Sequence, residues 1–151
     1  MRRKEKEITD QNKIESIIKQ SQVCRLAMVD GDGPYLVPLC FGYSDGVLFF
    51  HSAIEGKKID ILRRNGSVCF EFDIVGGLNT GQTACDWGIK YRSVIGFGKA
   101  VILENLEEKR NALEIIAAQY ADKDYKLTDG AVRETLVLKV DIESMTGKQS
   151  S

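Results

Sequence analysis

Apolar positions along this chain recur with two periods, and the two take turns. Between Asp10 and Gln20, Ile14, Ile17 and Ile18 fall at helical spacing, with Thr9 or Asp10 placed to cap the segment. Val23 to Val29 is a short apolar run that reads as a strand. It meets Asp30-Gly31-Asp32-Gly33-Pro34, a cluster that demands a tight turn. Tyr35 to Tyr43 predicts a second strand. Pro38 inside it lacks a ladder donor, so that position belongs at an edge, a bulge or a ligand wall. Ser44-Asp45-Gly46 is a hairpin turn, and Val47 to His51 a third strand. Ile54 to Asn65 reads as a helix with Ile59 and Leu62 inward, ended by Asn65-Gly66.

The second half repeats this grammar. Ser67 to Val75 is a strand with Val68, Phe70 and Phe72 on one face, and Gly76 to Gln82 a glycine-containing loop. Trp87 to Leu103 is long enough for a bent strand, with Gly96 and Gly98 at bulge or close-approach positions. Leu106 to Tyr120 is an amphipathic helix whose Leu113, Ile116, Ala117 and Tyr120 share a face. Arg133 to Ile142 sets Thr135, Val137 and Lys139 against Leu136, Leu138 and Val140, as a half-buried last strand does. Residues 1–8 and 145–151 read as flexible ends of a single domain spanning 1–151. Tight turns between neighbouring strands favour antiparallel pairing. The fold expected is therefore mainly β with flanking helices, its six strands closing or nearly closing into a barrel.

Composition narrows function by exclusion. A length of 151 residues, 43% of them apolar and 28% charged, suits one ordinary globular domain. A formal net charge of −1 supplies no field toward nucleic acid or anionic membranes, and no basic patch is interleaved with aromatics. No apolar run approaches the ~20 residues that span a bilayer, and no leader-like segment follows the basic start, so a cytoplasmic location is expected. Cys24, Cys40, Cys69 and Cys85 form no C-x-x-C pair and show no metal-site spacing. The first three lie in apolar runs and read as reduced core residues.

Two segments could carry chemistry. Phe49-Phe50-His51-Ser52-Ala53-Ile54-Glu55-Gly56-Lys57-Lys58 ends a strand and opens a helix. Such a junction offers free backbone N–H groups, the positive end of a helix dipole, a glycine that admits close approach, and two cations. That set suits a phosphate; the same lysines could equally be surface side chains of an ordinary helix. His51 is the sole histidine. Without a partner of its own kind or a nucleophile nearby in sequence, it supports neither zinc chemistry nor a triad, and it could simply bond backbone at a strand edge. The second segment, Trp87 to Gly98, contains Arg92, able to clamp a phosphate with two parallel hydrogen bonds, and Ser93, able to bond a polar ring edge. A central strand with an exposed arginine would look the same. No Gly-x-Gly-x-x-Gly joins a strand to a helix.

Taken together, these segments resemble the pyridoxamine 5′-phosphate oxidase-like superfamily of FMN-binding split barrels, in particular its 5-nitroimidazole resistance (nitroimidazole reductase) branch. The likeness is carried by Gly33-Pro34-Tyr35-Leu36-Val37-Pro38 with Phe41, and by Phe50-His51-Ser52-Ala53-x-x-Gly56-Lys57-Lys58. Val68-Cys69-Phe70-Glu71 and Tyr91-Arg92-Ser93-Val94-x-Gly96-x-Gly98 extend it, and the likeness as a whole is spread from Ile8 to Ala121. The resemblance implies a homodimer with two flavin sites, each built from both chains. Pro38, Leu39 and Cys40 would run past the flavin ring. Ser52, followed by Ala53 and Gly56, would bond the ring edge or ribityl chain, and Lys57 and Lys58 would grip the 5′-phosphate. Arg92 and Ser93 would reach flavin from the partner chain. His51 would stand near the ring and a small-molecule electron acceptor, as the catalytic proton carrier. The implied cofactor is FMN; these residues do not separate it from FAD, whose adenylate half could hang in solvent. A non-catalytic flavin- or haem-binding, sensing protein is the alternative, with His51 as axial ligand. The tryptophan and arginine pattern near the C-terminus of true pyridoxamine phosphate oxidases is missing, since the one tryptophan is Trp87. That argues against pyridoxine chemistry.

Overall fold

A computed structural model describes all 151 residues. Its elements in chain order are β1 (Glu7–Ile8), α1 (Gln11–Gln20), β2 (Cys24–Asp30), β3 (Gly33–Leu39), β4 (Gly42–Ser44) and β5 (Val47–Ser52). They continue with α2 (Lys57–Arg64), β6 (Ser67–Asn79), β7 (Gly88–Leu103), α3 (Leu106–Tyr120), α4 (Asp129–Glu134) and β8 (Leu136–Ser150). All strand pairings are antiparallel, in the order β3-β2-β6-β7-β8-β5-β4, with β1 on β8. The terminal strands of that order, β3 and β4, are separated in the chain only by Cys40 and Phe41. A sheet whose two edges are tied by two residues must roll up, yet β3 and β5 make no ladder. The result is a barrel closed by a covalent joint and split along one side.

Alternation sets the interior. Leu26, Met28, Leu48, Phe50, Phe70, Phe72, Val94, Leu138 and Val140 point inward and are buried, α1 adding Ile14, Ile17 and Ile18. Gly96 and Gly98 hold close-approach positions as expected. A side chain at 96 would strike the Phe70 ring and the Ser144 carbonyl, and one at 98 would strike β8 at Val140 and Asp141. The ladder slips between Phe97 and Gly98, which bends β7. Asp10 caps α1 by accepting from the Asn12 N–H at 2.9 Å.

Four expectations need correction. The sheet has eight strands rather than six: Tyr35 to Tyr43 breaks into β3 and β4, because Phe41 must turn fully into the core. The ends are not loose. β8 runs to Ser150, paired to β7 through Tyr91 opposite Ser150, and Glu7 and Ile8 pair with Lys148 and Gly147. This largely polar terminal stretch has no hydrophobic alternation to read; backbone pairing holds it, with Met145 packed on the core and Lys6 Nζ donating to Ser150 Oγ at 3.0 Å. Cys40 is exposed and Cys69 half-buried on the outer face, so only Cys24 is a core thiol; its burial pushes its pKa up. Finally, Val137 is buried although it faces outward, because Leu103 and Ala112 cover it. No helix is long and apolar enough to cross a membrane.

The joint itself is braced by Tyr120. Its hydroxyl accepts the Phe41 N–H at 3.0 Å and donates to the Gln22 carbonyl at 2.9 Å. Burial pushes this phenol up to about 12, with the Phe41 N–H pulling the other way and Cys40 adding to the rise. The fold thus favours the protonated phenol, which the unfolded chain loses near pH 10. The contribution is complete below pH 10 and is lost as pH rises from 10 through about 12. The thermal midpoint should fall across that window, and more steeply in the wild type than in Tyr120→Phe; parallel profiles would contradict the assignment.

Candidate functional site

β4 covers β5 only as far as Phe49, so Phe50, His51 and Ser52 have β8 on one side and the split on the other. From Gly42, opposite Phe49, the chain runs back through Phe41 and Cys40 into Leu39 and Pro38 on edge strand β3. Pro38–Cys40 and Phe50–Ser52 are therefore the two banks of the split. Pro38 sits in an edge strand, where its missing donor costs little. Pro38 and Cys40 face outward; Leu39 faces inward and packs on the core.

The helix that follows β5 closes one end of the split. Lys57 Nζ stands 4.7 Å from the centroid of the Tyr35 ring on β3, and 3.5 Å from Asp30 at the end of β2. Arg64, at the other end of α2, reaches the same carboxylate at 2.9 Å. The start of α2 is therefore docked onto the β2–β3 hairpin, across the split from its own strand. Gly56 precedes α2 at φ +145°, a conformation reserved in practice for glycine, with open space where a Cβ would be. No side chain caps the helix, so its first N–H groups remain available. Ala53 and Gly56 are exposed, and Lys58 is half-buried.

Adjacent residues on a strand face opposite ways, and His51 and Ser52 do so. His51 is exposed on the outer face, while Ser52 follows the inward parity of Leu48 and Phe50. Ser52 Oγ is the one buried side-chain N or O atom without a hydrogen-bond partner. A buried hydroxyl left unpaired costs ~1–3 kcal/mol. It lies on the strand that borders the split, five residues before Lys57, and is free to accept from or donate to a polar group.

Arg92 and Ser93 do not join this group within one chain. His51 is level with Val137 of β8 and Leu103 of β7, whereas Arg92 is level with Gln149. Eleven residue steps along β7 separate the two levels, about 36 Å of strand length at ~3.3 Å each. Arg92 instead donates to Gln20 of α1 at 3.2 Å, beside a hollow of about 320 Å³ bounded by Ile74, Lys90 and Gln149. A larger hollow, about 690 Å³ between α3 and residues 121–127, touches none of the candidate residues.

Sequence reasoning missed Tyr35 and Arg64, which seat α2, and Asp30, which was seen only as a turn residue. Nothing in the linear spacing announces that the β2–β3 hairpin folds against a helix some 30 positions later. Asp30 has a functional consequence, because it partly neutralises Lys57 and Arg64. Asp30→Asn should tighten binding of a phosphorylated ligand severalfold, since a carboxylate near a dianion opposes it. Looser binding on titration would show that Asp30 acts by orienting the cations instead.

A rolled antiparallel sheet, split between β3 and β5 and flanked there by a cationic helix start, defines the class as a split β-barrel. The chain belongs to the pyridoxamine 5′-phosphate oxidase family, whose family model matches residues 10–149. A protein of Bacteroides thetaiotaomicron, provisionally named for 5-nitroimidazole antibiotic resistance, is 39% identical. It superposes with a TM-score of 0.84, covering 94% of this chain and 85% of that one. A FAD-binding protein of Mesorhizobium loti is 25% identical, with a TM-score of 0.69 over 94% of this chain and 96% of that one. A FAD- and haem-binding protein of Mycobacterium smegmatis shares the fold at 18% identity, with a TM-score of 0.88 over 97% of this chain and 74% of that one. No curated protein sequence matches the chain significantly.

Proposed function

We propose that this chain is the subunit of a homodimeric, FMN-dependent oxidoreductase that reduces a small organic acceptor, with nitroaromatic compounds such as 5-nitroimidazoles as the acceptor class. One observation carries the proposal: a buried, unpartnered Ser52 hydroxyl ends the strand that borders the split, five residues before two lysines at an uncapped helix start. The donor set fits the cofactor part by part. Lys57, Lys58 and the free N–H groups of α2 suit the 5′-phosphate dianion. Gly56 leaves room for it. Ser52 suits a polar edge or the ribityl chain. Pro38 and Cys40 with Ala53 provide a mostly apolar wall, and Leu39 between the first two anchors the segment to the core. Bound flavin supplies the electron transfer itself.

The chain's own residues do the rest. Lys57 and Lys58 would hold the phosphate end, and the β3 wall would orient the rings. His51, on the outer face, is placed to hold a proton at its imidazole and deliver it to a reduced acceptor on that side. Arg92 and Ser93 belong to the same site only if a second copy brings them. That requirement, with the exposed apolar side chains of β7 facing outward beside them, supports the homodimer. The named relative at 39% identity supports the acceptor class.

The test is the visible spectrum of the purified protein, followed by mass analysis of the released cofactor and turnover of a nitroimidazole with NADH or NADPH. Flavin bands, a mass of FMN and steady turnover are expected. A protein that shows no such bands and takes up no flavin sinks the proposal, and a Soret band abolished in His51→Ala would replace it with a haem-binding role.

A further inference from the structure

Beyond the barrel, β6 and β7 continue as a two-stranded arm. The ladder slips at Gly76, where Gly77 adopts φ +135°, then resumes through Leu78 opposite Ile89 to Asn79 opposite Gly88. Its tip is built rather than slack: Thr83 and Asp86 hydrogen-bond each other at 2.8 and 3.0 Å around a single helical turn, Ala84–Asp86. Yet the arm is apolar and bare. Leu78 is 63% exposed, Trp87 56% and Ile89 49%, and Val75 is exposed beside them. An isolated two-stranded ribbon is marginal in water, and one carrying such residues needs a surface to lie on.

The register says which surface. Leu78–Ile89, Val75–Tyr91, Asp73–Ser93, Glu71–Ile95 and Cys69–Phe97 are successive facing pairs on the outer face, polar at Asp73–Ser93 and Glu71 and apolar at the other positions. The arm's apolar side therefore lies on the same face as Ile95 and Phe97 of β7, the latter 55% exposed, with the polar Asp73–Ser93 pair between them. Phe97 is midway between Arg92 and Leu103, the position level with His51. A twofold axis near Phe97 would lay β7 of one chain antiparallel to β7 of the other. The Arg92 end of each would then meet the His51 end of its twin, as an isologous contact requires. The arm, lying beyond Arg92, would extend past the twin's β5 toward exposed Ile54 and the start of α2.

We propose that the arm, residues 75–89, is an exchange arm. Leu78, Trp87 and Ile89 of one chain seat on the second copy over its His51–Lys58 segment and form the outer apolar wall of its cofactor and acceptor site. This rests on the flavin reading above and adds to it the residues that select a flat, apolar acceptor. Trp87 is the aromatic face against which such an acceptor stacks.

Two measurements test it. As the sole tryptophan, Trp87 reports the arm directly: in flavin-free protein its emission should shift to the red on dilution from dimer to monomer, and emission that does not move with dilution overturns the contact. Then chains carrying Lys57→Ala with Lys58→Ala are mixed with chains carrying Leu78→Ser with Ile89→Ser, and FMN binding is titrated. Each homodimer should bind FMN at least about tenfold more weakly than wild type. The mixed dimer should regain one site of wild-type affinity, because its intact lysines and intact arm meet only across the interface. A mixed dimer with no restored site, or a serine variant that binds as wild type does, overturns the proposal. If wild-type protein binds no FMN, the flavin reading has failed, and the dilution experiment alone decides whether the arm seats on a second copy.

Discussion

Replacing Lys57 and Lys58 together with alanine should weaken FMN binding about thirty- to several-hundredfold. The range comes from hydrogen bonds to charged groups worth ~1.5–3 kcal/mol each, discounted to ~2–4 kcal/mol for the pair because Lys57 is already shared with Asp30. The loss should fall unequally. Lys57 is held by Asp30 and the Tyr35 ring, so it brings a fixed direction; Lys58 has no such partner and brings charge. Lys58→Arg should restore most of the affinity, whereas Lys57→Arg should not, because the longer planar group cannot keep both contacts. Stability should barely change, since Lys57 is exposed and exposed ion pairs are worth ~0–1 kcal/mol. Fluorescence quenching titration of FMN, with urea unfolding as control, measures both. Unchanged affinity in the double variant would mean that the phosphate goes elsewhere.

Phe41→Ala should cost about 3–5 kcal/mol of stability, the range for emptying a large buried aromatic site. Phe41 is fully buried, makes an edge contact with Phe72 at 4.8 Å and a second with Tyr120 at 6.3 Å, and is half of the two-residue joint between β3 and β4. The cavity would open at the place where the barrel is tied. The banks of the split should therefore loosen together, and flavin affinity should fall with stability. Urea midpoints read the first effect and FMN titration the second. A loss below 1 kcal/mol would show that the joint can collapse around a small side chain and does not hold the split in shape.

How much of this was legible in the chain depends on the range of the interaction. The helices at α1 and α3 follow from Ile14, Ile17 and Ile18 and from the 106–120 pattern, because a helix is a local object with local caps. The His51–Lys58 segment was readable for the same reason: strand end, glycine and cations are neighbours in sequence. Asp30 on Lys57 is a contact of tertiary structure, and turn-forming residues conceal it. The ladder that orders Ser144–Ser150 is likewise invisible, because backbone pairing leaves no trace in side-chain polarity. The separation of Arg92 from His51 is the most informative surprise. Two motifs that look like halves of one site lie on different strands, β5 and β7, level with opposite ends of β8, and only register could reveal it.

The most direct measurement of the central claim is a calorimetric comparison of FMN with riboflavin on flavin-stripped protein. FMN should bind once per chain, and riboflavin, which lacks only the phosphate, should bind more weakly by about the factor that the double lysine replacement costs. Equal affinities for the two, or no heat from either, would contradict a phosphate-gripping helix start at the split of this barrel.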